Sequence, residues 1–309
     1  MNNINYRVRL AIFFSLRMKK RRFHIDCEKD HTWRVGETVR LSPRETHHLI
    51  HVLRLARGAP LRLFDSHGRE MEGMVKSLDP EGVEVTLTAL FLSEREADIP
   101  EKIDSALYPL GASLSFTIPV GLGLPLLKAD KLETTLRMTT EMGASFFHLF
   151  ASRRCVVRFD PVALNNKRER WQHIILDAVR VSGRRSVPSL DLHPSLDDLL
   201  ETIIPQGPVL LPYEEKGFPL LSRLLPQVPL LSSNRPWVPE KNPSPLSEEI
   251  RRAGCIFLVT GPEGGWSKEE VETAQARGVL VCSLGSRILR AETAPIAGLA
   301  VILSFLGEL

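Results

Sequence analysis

The sequence of 309 residues predicts an α/β protein, with a large parallel-sheet domain at the C-terminus and a small β domain at the N-terminus. Residues 256–259 and 279–284 are apolar runs without polar alternation, which is typical of parallel strands buried on both faces. Each run is followed by a loop and a helical segment, so this part contains two consecutive strand–loop–helix units. Short alternating runs between residues 39 and 87, separated by turn residues, predict the β domain.

The N-terminal end of the chain is basic. Residues 1–57 contain thirteen Lys/Arg and five Asp/Glu, whereas the whole chain has a net charge of only +3. A basic segment of this kind indicates an anionic partner, and RNA is the best candidate. The alternative is a solvated basic face that has no partner. Residues 10–16 are apolar, but a basic run follows where a cleavage site should be, so a secretory signal is rejected. We interpret residues 1–17 as an extension outside the fold, with Met18 as an alternative start.

Residues 18–92 are predicted to form the small β domain. Its strands are expected at residues 39–41, 61–64, 70–75 and 83–87, with turns at 66–68 and 79–82. A helix is expected between the first two strands, at residues 43–55. His47 and His51 lie one helical turn apart in it, but no third metal ligand accompanies them, so no metal site is predicted.

The polar segment 93–105 is predicted to be a linker, and residues 106–309 the larger domain. A strand at 114–120 is expected to open this domain, followed by a flexible turn at 121–125 and a helix at 129–142 that ends at Gly143. Further strands are expected at 146–150 and 209–212, with an amphipathic helix at 167–181 between them. Residues 220–245 are rich in Pro and Leu and predict a long irregular segment.

The loops after the two C-terminal strands are the candidate binding site. Gly261, Gly264 and Gly265 leave the backbone of the first loop accessible to a ligand. Ser267 and Glu270 predict a capping box at the start of the next helix. Loops at the carboxyl ends of neighbouring parallel strands lie side by side, where open α/β sheets bind ligands. The second loop is bordered by apolar residues and suits a nucleoside. Neither a Walker loop nor G-x-G-x-x-G is present, which disfavours a nicotinamide-dependent oxidoreductase.

The composition is typical of a globular protein, with 43% hydrophobic and 25% charged residues. Four scattered cysteines without a C-x-x-C motif indicate neither disulfides nor a cysteine zinc site, and they fit a reducing cytoplasm. No apolar run approaches the length that spans a bilayer, so no membrane association is expected.

Two long motifs in the C-terminal part resemble the 16S rRNA (uracil-N3)-methyltransferase family of the SPOUT superfamily. They are Gly261-Pro262-Glu263-Gly264-Gly265 and the run Leu284-Gly285-x-Arg287-Ile288-Leu289-Arg290-x-Glu292-Thr293-Ala294. The run His47-His48-x-x-His51-Val52-Leu53-Arg54 resembles the PUA-like RNA-binding domain of that family. Residues 152–154 and 182–188 resemble two further family motifs, and the resemblance spans residues 18–309.

The resemblance implies a SPOUT-type knotted, parallel-sheet methyltransferase domain that follows a PUA-like β-barrel. It also implies that both loops hold S-adenosyl-L-methionine as methyl donor, without a metal. The residues that it places around the donor are Leu211, Gly261, Glu263, Gly264, Gly265, Leu284, Gly285, Ile288, Leu289, Arg290, Thr293 and Ala294. The implied partners are 16S rRNA in the small ribosomal subunit and a second copy of the chain in a homodimer, in the cytoplasm, with neither DNA nor a membrane.

The expected reaction is methylation of N3 of a uridine. N3–H is a weak acid, so a base must remove the proton or a cation must stabilise the anion. Arg290 is the candidate for charge stabilisation, and Glu292 is the candidate for accepting the proton or orienting Arg290; a purely structural ion pair is the alternative. The candidate phosphate contacts are Arg21, Arg22, Arg54 and Arg184.

The sequence departs from the family pattern at three positions. Met138 stands where the family usually has Lys, and Arg180-Val181 stands where it has Glu-Gln. Because both loop motifs are intact, we expect a divergent active enzyme. The alternatives are a non-catalytic RNA-binding protein that retains the fold and a 2′-O-ribose RNA methyltransferase.

Overall fold

The structure is a computed structural model that describes residues 21–28, 30–91, 118–225, 246, 250 and 252–309. The chain divides into two compact units, Met1–Ala112 with Val179–Val187, and Ser113–Ala178 with Pro188–Leu309. The segment Val179–Val187, predicted as part of the larger domain, therefore groups with the N-terminal unit. The predicted extension and linker, and most of the predicted irregular segment 220–245, lie outside the described residues.

The N-terminal unit is built on a five-stranded sheet. Its strands, in the order β1-β3-β4-β5-β2, are β1 (Arg22–Ile25), β2 (Thr38–Arg40), β3 (Pro60–Asp65), β4 (Glu70–Ser77) and β5 (Glu84–Phe91). β1 pairs with β3 in parallel, and the other pairs are antiparallel. The four predicted strands are confirmed. β1 was missed because all four of its residues are buried, so it lacks the alternation that a sequence pattern detects.

The helix predicted at residues 43–55 is interrupted. α1 (Pro43–His47) begins where Ser42 Oγ accepts a hydrogen bond from the Glu45 amide, and His48–Val52 continue as a π-helical turn. Arg54 then has a φ of 49°, the single positive φ outside glycine among the described residues. A π turn followed by a left-handed residue ends the helix, and such distortions are frequent at functional sites.

The larger unit contains a six-stranded sheet in which every strand pair is parallel, as predicted. Its strands, in the order β11-β9-β10-β6-β7-β8, are β6 (Val120–Pro125), β7 (Phe146–Phe150), β8 (Ser189–His193), β9 (Val209–Pro212), β10 (Ile256–Val259) and β11 (Leu280–Cys282). Its helices are α2 (Ala129–Met142), α3 (Pro161–Ser182), α4 (Leu196–Ile203), α5 (Leu221–Leu224), α6 (Lys268–Ala276) and α7 (Thr293–Phe305). The end of α3, from Val179 onward, groups with the N-terminal unit. Within the described ranges, no helix has the length and apolar character needed to cross a membrane.

Strand β10 lies at the centre of this sheet, between β9 and β6, and is buried along its whole length. α7 packs against α2 and contacts β10. Gly298 of α7 permits this contact, because a Cβ there would lie 2.6 Å from Leu258 Cδ2. β9, β10 and β11 are neighbours in the sheet, so the loops at their carboxyl ends meet. The knotted threading of the C-terminal segment stays a prediction.

The flexible turn predicted at residues 121–125 is wrong, because these residues form β6. Its two glycines leave room for side chains of β10. A Cβ on Gly121 would lie 2.4 Å from Phe257 Cδ1, and one on Gly123 would lie 2.8 Å from Val259 Cγ2. The glycines therefore serve close packing inside a buried strand and not backbone flexibility. The predicted strand at 114–120 begins outside the described residues.

Candidate functional site

A cleft of about 470 Å³ lies at the carboxyl ends of β9, β10 and β11. It is formed entirely by the larger unit, mostly from the segments at the ends of these three strands. The lining consists of residues 212–214, 261–266, 283–285, 287–291 and 294, together with Lys131 of α2. This is the position that the two strand–loop–helix units predicted.

The glycine-rich loop after β10 forms one wall, and its shape is set by contacts that exclude side chains. A Cβ on Gly261 would lie 3.0 Å from the indole Nε1 of Trp266, whose N–H donates a hydrogen bond to the Pro212 carbonyl over 2.9 Å. Gly265 has a φ of 69°, and a Cβ there would lie 2.4 Å from Glu214 Oε1. The loop therefore packs tightly against the segment after β9, and its backbone stays bare toward the cleft.

Glu270 fixes this loop at its C-terminal end. The predicted capping box is confirmed, since Ser267 Oγ accepts from the Glu270 amide and Glu270 Oε2 accepts from the Ser267 amide over 2.9 Å. Glu270 Oε1 accepts from Ser152 Oγ over 2.8 Å and from the Arg153 amide over 2.9 Å. One buried carboxylate thus joins the loop to the start of α6 and to the segment after β7.

The loop after β11 supplies an apolar wall. Ser283 Oγ accepts a hydrogen bond from the Gly285 amide over 3.2 Å and donates one to the Gly285 carbonyl over 3.1 Å, which fixes the turn. Ile288 and Leu289 then line the cleft, and Ile288 is 84% exposed. Exposed apolar surface on the wall of a cleft suits a flat ring system such as a nucleoside base.

Four charged side chains link the two loops. Lys131 Nζ lies 3.4 Å from Glu263 Oε1 in the first loop and 3.4 Å from Glu292 Oε2 at the end of the second. Glu292 Oε1 lies 3.9 Å from Arg290 Nη1. Desolvation lowers the pKa of Lys131, but the attraction of Glu292 and Glu263 outweighs it, so its pKa lies above the ordinary value. Lys131 is therefore protonated at neutral pH.

The cleft combines buried negative charge with exposed positive charge. Both carboxylate oxygens of Glu263 are shielded from solvent, and apart from the contact of Oε1 with Lys131 Nζ, no donor in the described ranges reaches them. Arg287 and Arg290 line the same cleft with exposed side chains. A shielded carboxylate with a single cationic contact can still accept hydrogen bonds, which favours a ligand that brings positive charge or N–H groups. Exposed arginines favour a polyanion.

Ten of the twelve predicted donor-binding residues line the cleft. They are Gly261, Glu263, Gly264, Gly265, Leu284, Gly285, Ile288, Leu289, Arg290 and Ala294. The other two lie outside the lining: Leu211 is fully buried in the core, and Thr293 is exposed at the start of α7. In both cases the next residue along, Pro212 or Ala294, lines the cleft instead.

The cleft also contains residues outside the two motifs. Trp266 follows the glycine-rich motif directly, so the sequence carried a signal for it. Tyr213 is buried, and burial together with the nearby Glu215 and Glu214 raises its pKa to about 12, so the phenol stays neutral. Lys131 lies about 130 residues before the first motif, so only the fold brings it to the site.

Arg22, one of the predicted phosphate contacts, is an internal residue. It is 2% exposed, and its guanidinium donates to Glu70 Oε1 over 2.6 Å. It also donates to the carbonyls of Val179 over 3.1 Å and Arg184 over 2.6 Å. Charge-assisted hydrogen bonds of this kind hold the segment Val179–Val187 within the N-terminal unit. The assignment of Arg22 to RNA is therefore corrected to a structural role.

The other predicted RNA contacts and two of the sequence departures reach the surface. Arg54 is exposed, and Arg21 and Arg184 are half-buried, so these three remain candidates for phosphate contacts. Met138 is 40% exposed and Val181 is 79% exposed. Met138 and Val181 are therefore surface residues, and neither adds an apolar side chain to the core.

An all-parallel sheet with a nucleoside-sized cleft at the carboxyl ends of its strands defines an α/β protein that binds a nucleotide-like ligand. The chain matches the model of the RNA methyltransferase domain over residues 115–303 and that of the RNA methyltransferase PUA domain over residues 41–88. It therefore belongs to the RNA methyltransferase family that carries an N-terminal PUA domain. The enzyme class and domain types predicted from the sequence motifs are confirmed.

Several relatives resemble the chain over most of its length. Ribosomal RNA small subunit methyltransferase E of Bacillus subtilis is 29% identical over 266 residues, which cover 86% of this chain and 89% of the relative. The protein of the same name from Synechocystis is 29% identical over 269 residues, which cover 87% of this chain and 73% of the relative. The structure of ribosomal RNA small subunit methyltransferase E from Neisseria gonorrhoeae, bound to S-adenosyl methionine, has a TM-score of 0.67 at 24% identity, covering 92% of this chain and 97% of that one. The structure of a Legionella pneumophila methyltransferase in complex with the same cofactor has a TM-score of 0.66 at 23% identity. The match covers 92% of this chain and 96% of that one.

Proposed function

We propose that the protein transfers the methyl group of S-adenosyl-L-methionine to N3 of a uridine in the 16S rRNA of the small ribosomal subunit. Family membership and the names of the relatives support methylation of small-subunit rRNA. The cleft at the ends of β9, β10 and β11 carries the proposal, because ten residues predicted to contact the donor line it. Two structures of the same fold contain S-adenosyl methionine, which supports this donor.

The cleft suits the donor in size and charge. Its volume of about 470 Å³ lies in the range typical of small-molecule sites. The bare backbone at Gly264 and Gly265 and the apolar surface of Ile288 and Leu289 would hold the adenosine. The shielded carboxylate of Glu263 would balance the positive charge of the donor. When bound, the donor supplies an activated methyl group on a sulfonium, a chemistry that requires no metal ligands from the protein.

Arg290 is proposed to act on the uracil. N3 gains the methyl group and loses its proton to solvent, so negative charge builds up on the two neighbouring carbonyl oxygens. The guanidinium of Arg290, which is exposed and lines the cleft, would stabilise this charge. Glu292 lies 3.9 Å from Arg290, is shared with Lys131 and is not part of the cleft lining. This arrangement favours orientation of Arg290 over acceptance of the proton.

The N-terminal unit is proposed to bind the RNA backbone. Residues 1–57 carry the surplus of positive charge, and the PUA domain matched at residues 41–88 belongs to RNA methyltransferases. Arg54, exposed beside the π-helical turn, is the best-placed phosphate contact. Action on ribosomal RNA implies a cytoplasmic location, and a homodimer remains part of this proposal.

The proposal is tested with small ribosomal subunits from cells that lack the gene. The purified protein is incubated with these subunits and labelled donor, and the rRNA is digested to nucleosides for mass mapping. We expect one new 3-methyluridine. A product methylated on the ribose 2′-oxygen, or no transfer from a protein that binds the subunit, would overturn the proposal in favour of the two alternatives.

The role of Arg290 is tested in the same assay. Arg290→Ala should lower methyl transfer about 10²-fold, the typical effect of removing one group that stabilises transition-state charge. Donor affinity, measured by calorimetry, should change little because the side chain is exposed. Arg158→Ala, which removes an exposed arginine outside the cleft lining, is the matched control. Equal turnover in the two variants would exclude a catalytic role for Arg290.

A further inference from the structure

Lys131 contacts both loops of the cleft from a helix that neither loop motif includes. We propose that Lys131 is a positioning residue that joins the two donor loops through Glu263 and Glu292 and so keeps the pocket assembled. The inference rests on the proposed function only for the identity of the ligand, since the contact between the loops exists without it.

Lys131 stands on a rigid support. It is the third residue of α2, whose buried residues Leu132 and Leu136 pack into the core. α2 packs against α7, the helix that begins directly after Glu292. The ammonium is therefore held at a fixed place between two loops that approach it from different strands, β10 and β11.

Two carboxylates, those of Glu263 and Glu292, require a cation at the position of Lys131. Lys131 Nζ lies 3.4 Å from an oxygen of Glu263 and 3.4 Å from an oxygen of Glu292. Those oxygens are shielded from solvent and receive no other hydrogen bond within the described ranges. Without the ammonium, the carboxylates of Glu263 and Glu292 would lose the cation that both of them contact. Like charges in partly buried surroundings repel strongly, so the loops would separate.

The contact also extends to the proposed catalytic group. Glu292 is shared between Lys131 and Arg290, so the charges alternate along the series Glu263, Lys131, Glu292 and Arg290. Displacement of Glu292 would release Arg290 from its partner. Loss of Lys131 should therefore weaken donor binding and lower the rate of methyl transfer at saturating donor, whereas loss of Arg290 should affect the rate alone.

The fold itself does not depend on this contact. The first loop closes through its own hydrogen bond from the Gly265 amide to the Pro262 carbonyl, over 2.9 Å. The second loop enters α7 through a hydrogen bond from the Thr293 amide to the Arg290 carbonyl, also over 2.9 Å. A variant without the lysine should therefore fold, and its thermal midpoint should stay close to that of the wild type.

The first test measures hydrogen exchange by mass spectrometry on the protein without donor. Lys131→Met keeps the length of the side chain and removes its charge. We expect exchange to become about tenfold faster in peptides from both loops and nowhere else. Lys131→Arg should restore protection. Lys128→Met, which changes the exposed N-cap lysine of the same helix, is the matched control. Unchanged exchange in both loops would overturn the inference.

The second test measures donor affinity by calorimetry in a double-mutant cycle. Lys131→Met should weaken binding about tenfold, and the loss should be smaller in the Glu263→Gln background, where one of the two facing charges is already absent. The coupling between Lys131 and Glu263 would be refuted if the two substitutions had strictly additive effects on the free energy of donor binding and hydrogen exchange in both loops stayed normal. A wild-type protein that binds no donor would refute the proposed function instead, and the exchange experiment would still decide the role of Lys131.

Discussion

Arg180 forms an ion pair with Glu45, and both side chains are largely buried, with 13% and 6% exposure. Both residues belong to the N-terminal unit, because Val179–Val187 groups with it. Arg180 is one of the positions at which the sequence departs from its family, where a glutamate is usual. The structure explains this reversed charge: the arginine is matched by an acid on α1. The departure is thus matched within the N-terminal unit, and Arg180 is not among the residues that line the cleft.

Reversal of this charge should destabilise the protein. Arg180→Glu would place two carboxylates together in a largely buried position, and removal of one partner of a buried pair typically costs about 3 kcal/mol or more. The double variant with Glu45→Arg should recover a substantial part of that loss. Urea denaturation of the single and double variants measures the free energy of unfolding. If Arg180→Glu were as stable as the wild type, the pair would have no structural importance.

Glu270 should contribute to both stability and donor binding. It accepts hydrogen bonds from the Ser267 amide, Ser152 Oγ and the Arg153 amide, so its removal leaves three donors without their acceptor. We expect Glu270→Ala to cost about 2 kcal/mol, in the range for a lost cap with buried donors. Donor affinity should fall because the glycine-rich loop loses its connection to the segment after β7.

The matched control for this prediction is Glu272→Ala. Glu272 lies on the same helix, is exposed and pairs only with Lys268 within the described ranges. Chemical denaturation and calorimetry with the donor should show little change for Glu272→Ala. Similar losses of stability and donor affinity in both variants would contradict the prediction, because they would not depend on the hydrogen bonds that Glu270 alone accepts.

Some parts of the site could be predicted because their signals are local. The glycine-rich loop and the capping box of Ser267 and Glu270 occupy consecutive residues, and buried parallel strands such as β10 are continuous apolar runs. These features depend on backbone conformation and burial, which short sequence patterns encode. The lining of the cleft by ten predicted residues follows from them.

Other parts depend on contacts between distant segments. Gly121 and Gly123 have the composition of a flexible turn, and only the side chains of Phe257 and Val259 explain why they stand in a strand. Lys131 has no local signal, because its partners lie on loops of other strands. Arg22 belongs to a basic run typical of an RNA contact, yet its guanidinium is turned inward. In each case the partner, and not the residue type, determines the role.

Stability should depend on pH through His148. Its ring packs beside that of His193, with 3.0 Å between Nδ1 of His148 and Nε2 of His193. Burial, together with repulsion from His193 and despite attraction from Asp191, lowers the pKa of His148 to about 4, from an ordinary value of 6.5. The unfolded chain therefore binds more protons than the folded chain between these values. The stabilisation is complete above pH 6.5 and is lost as the pH falls toward 4, by about 3 kcal/mol at most.

The measurement for His148 is the urea midpoint as a function of pH. Wild type should lose stability steeply between pH 6.5 and pH 4, and His148→Gln, which cannot be protonated, should show a shallower slope over the same range. His193 contacts His148, and burial lowers its pKa as well, so the difference between the two curves reports this pair of histidines. Parallel curves for the two proteins would contradict a lowered pKa.

RNA binding should depend on salt through the exposed arginines of the N-terminal unit. Each phosphate contact contributes a slope of about −0.7 to −0.9 in a plot of log affinity against log salt concentration. Arg54→Ala should therefore weaken binding to 16S rRNA and reduce the magnitude of this slope by nearly one unit.

Arg22→Ala should instead lower the thermal midpoint, because Arg22 is 2% exposed and its guanidinium donates a hydrogen bond to Glu70. Filter binding at several salt concentrations and thermal denaturation separate the two effects. An unchanged salt slope for Arg54→Ala would remove this residue from the RNA contact surface, and the search would then pass to Arg21 and Arg184.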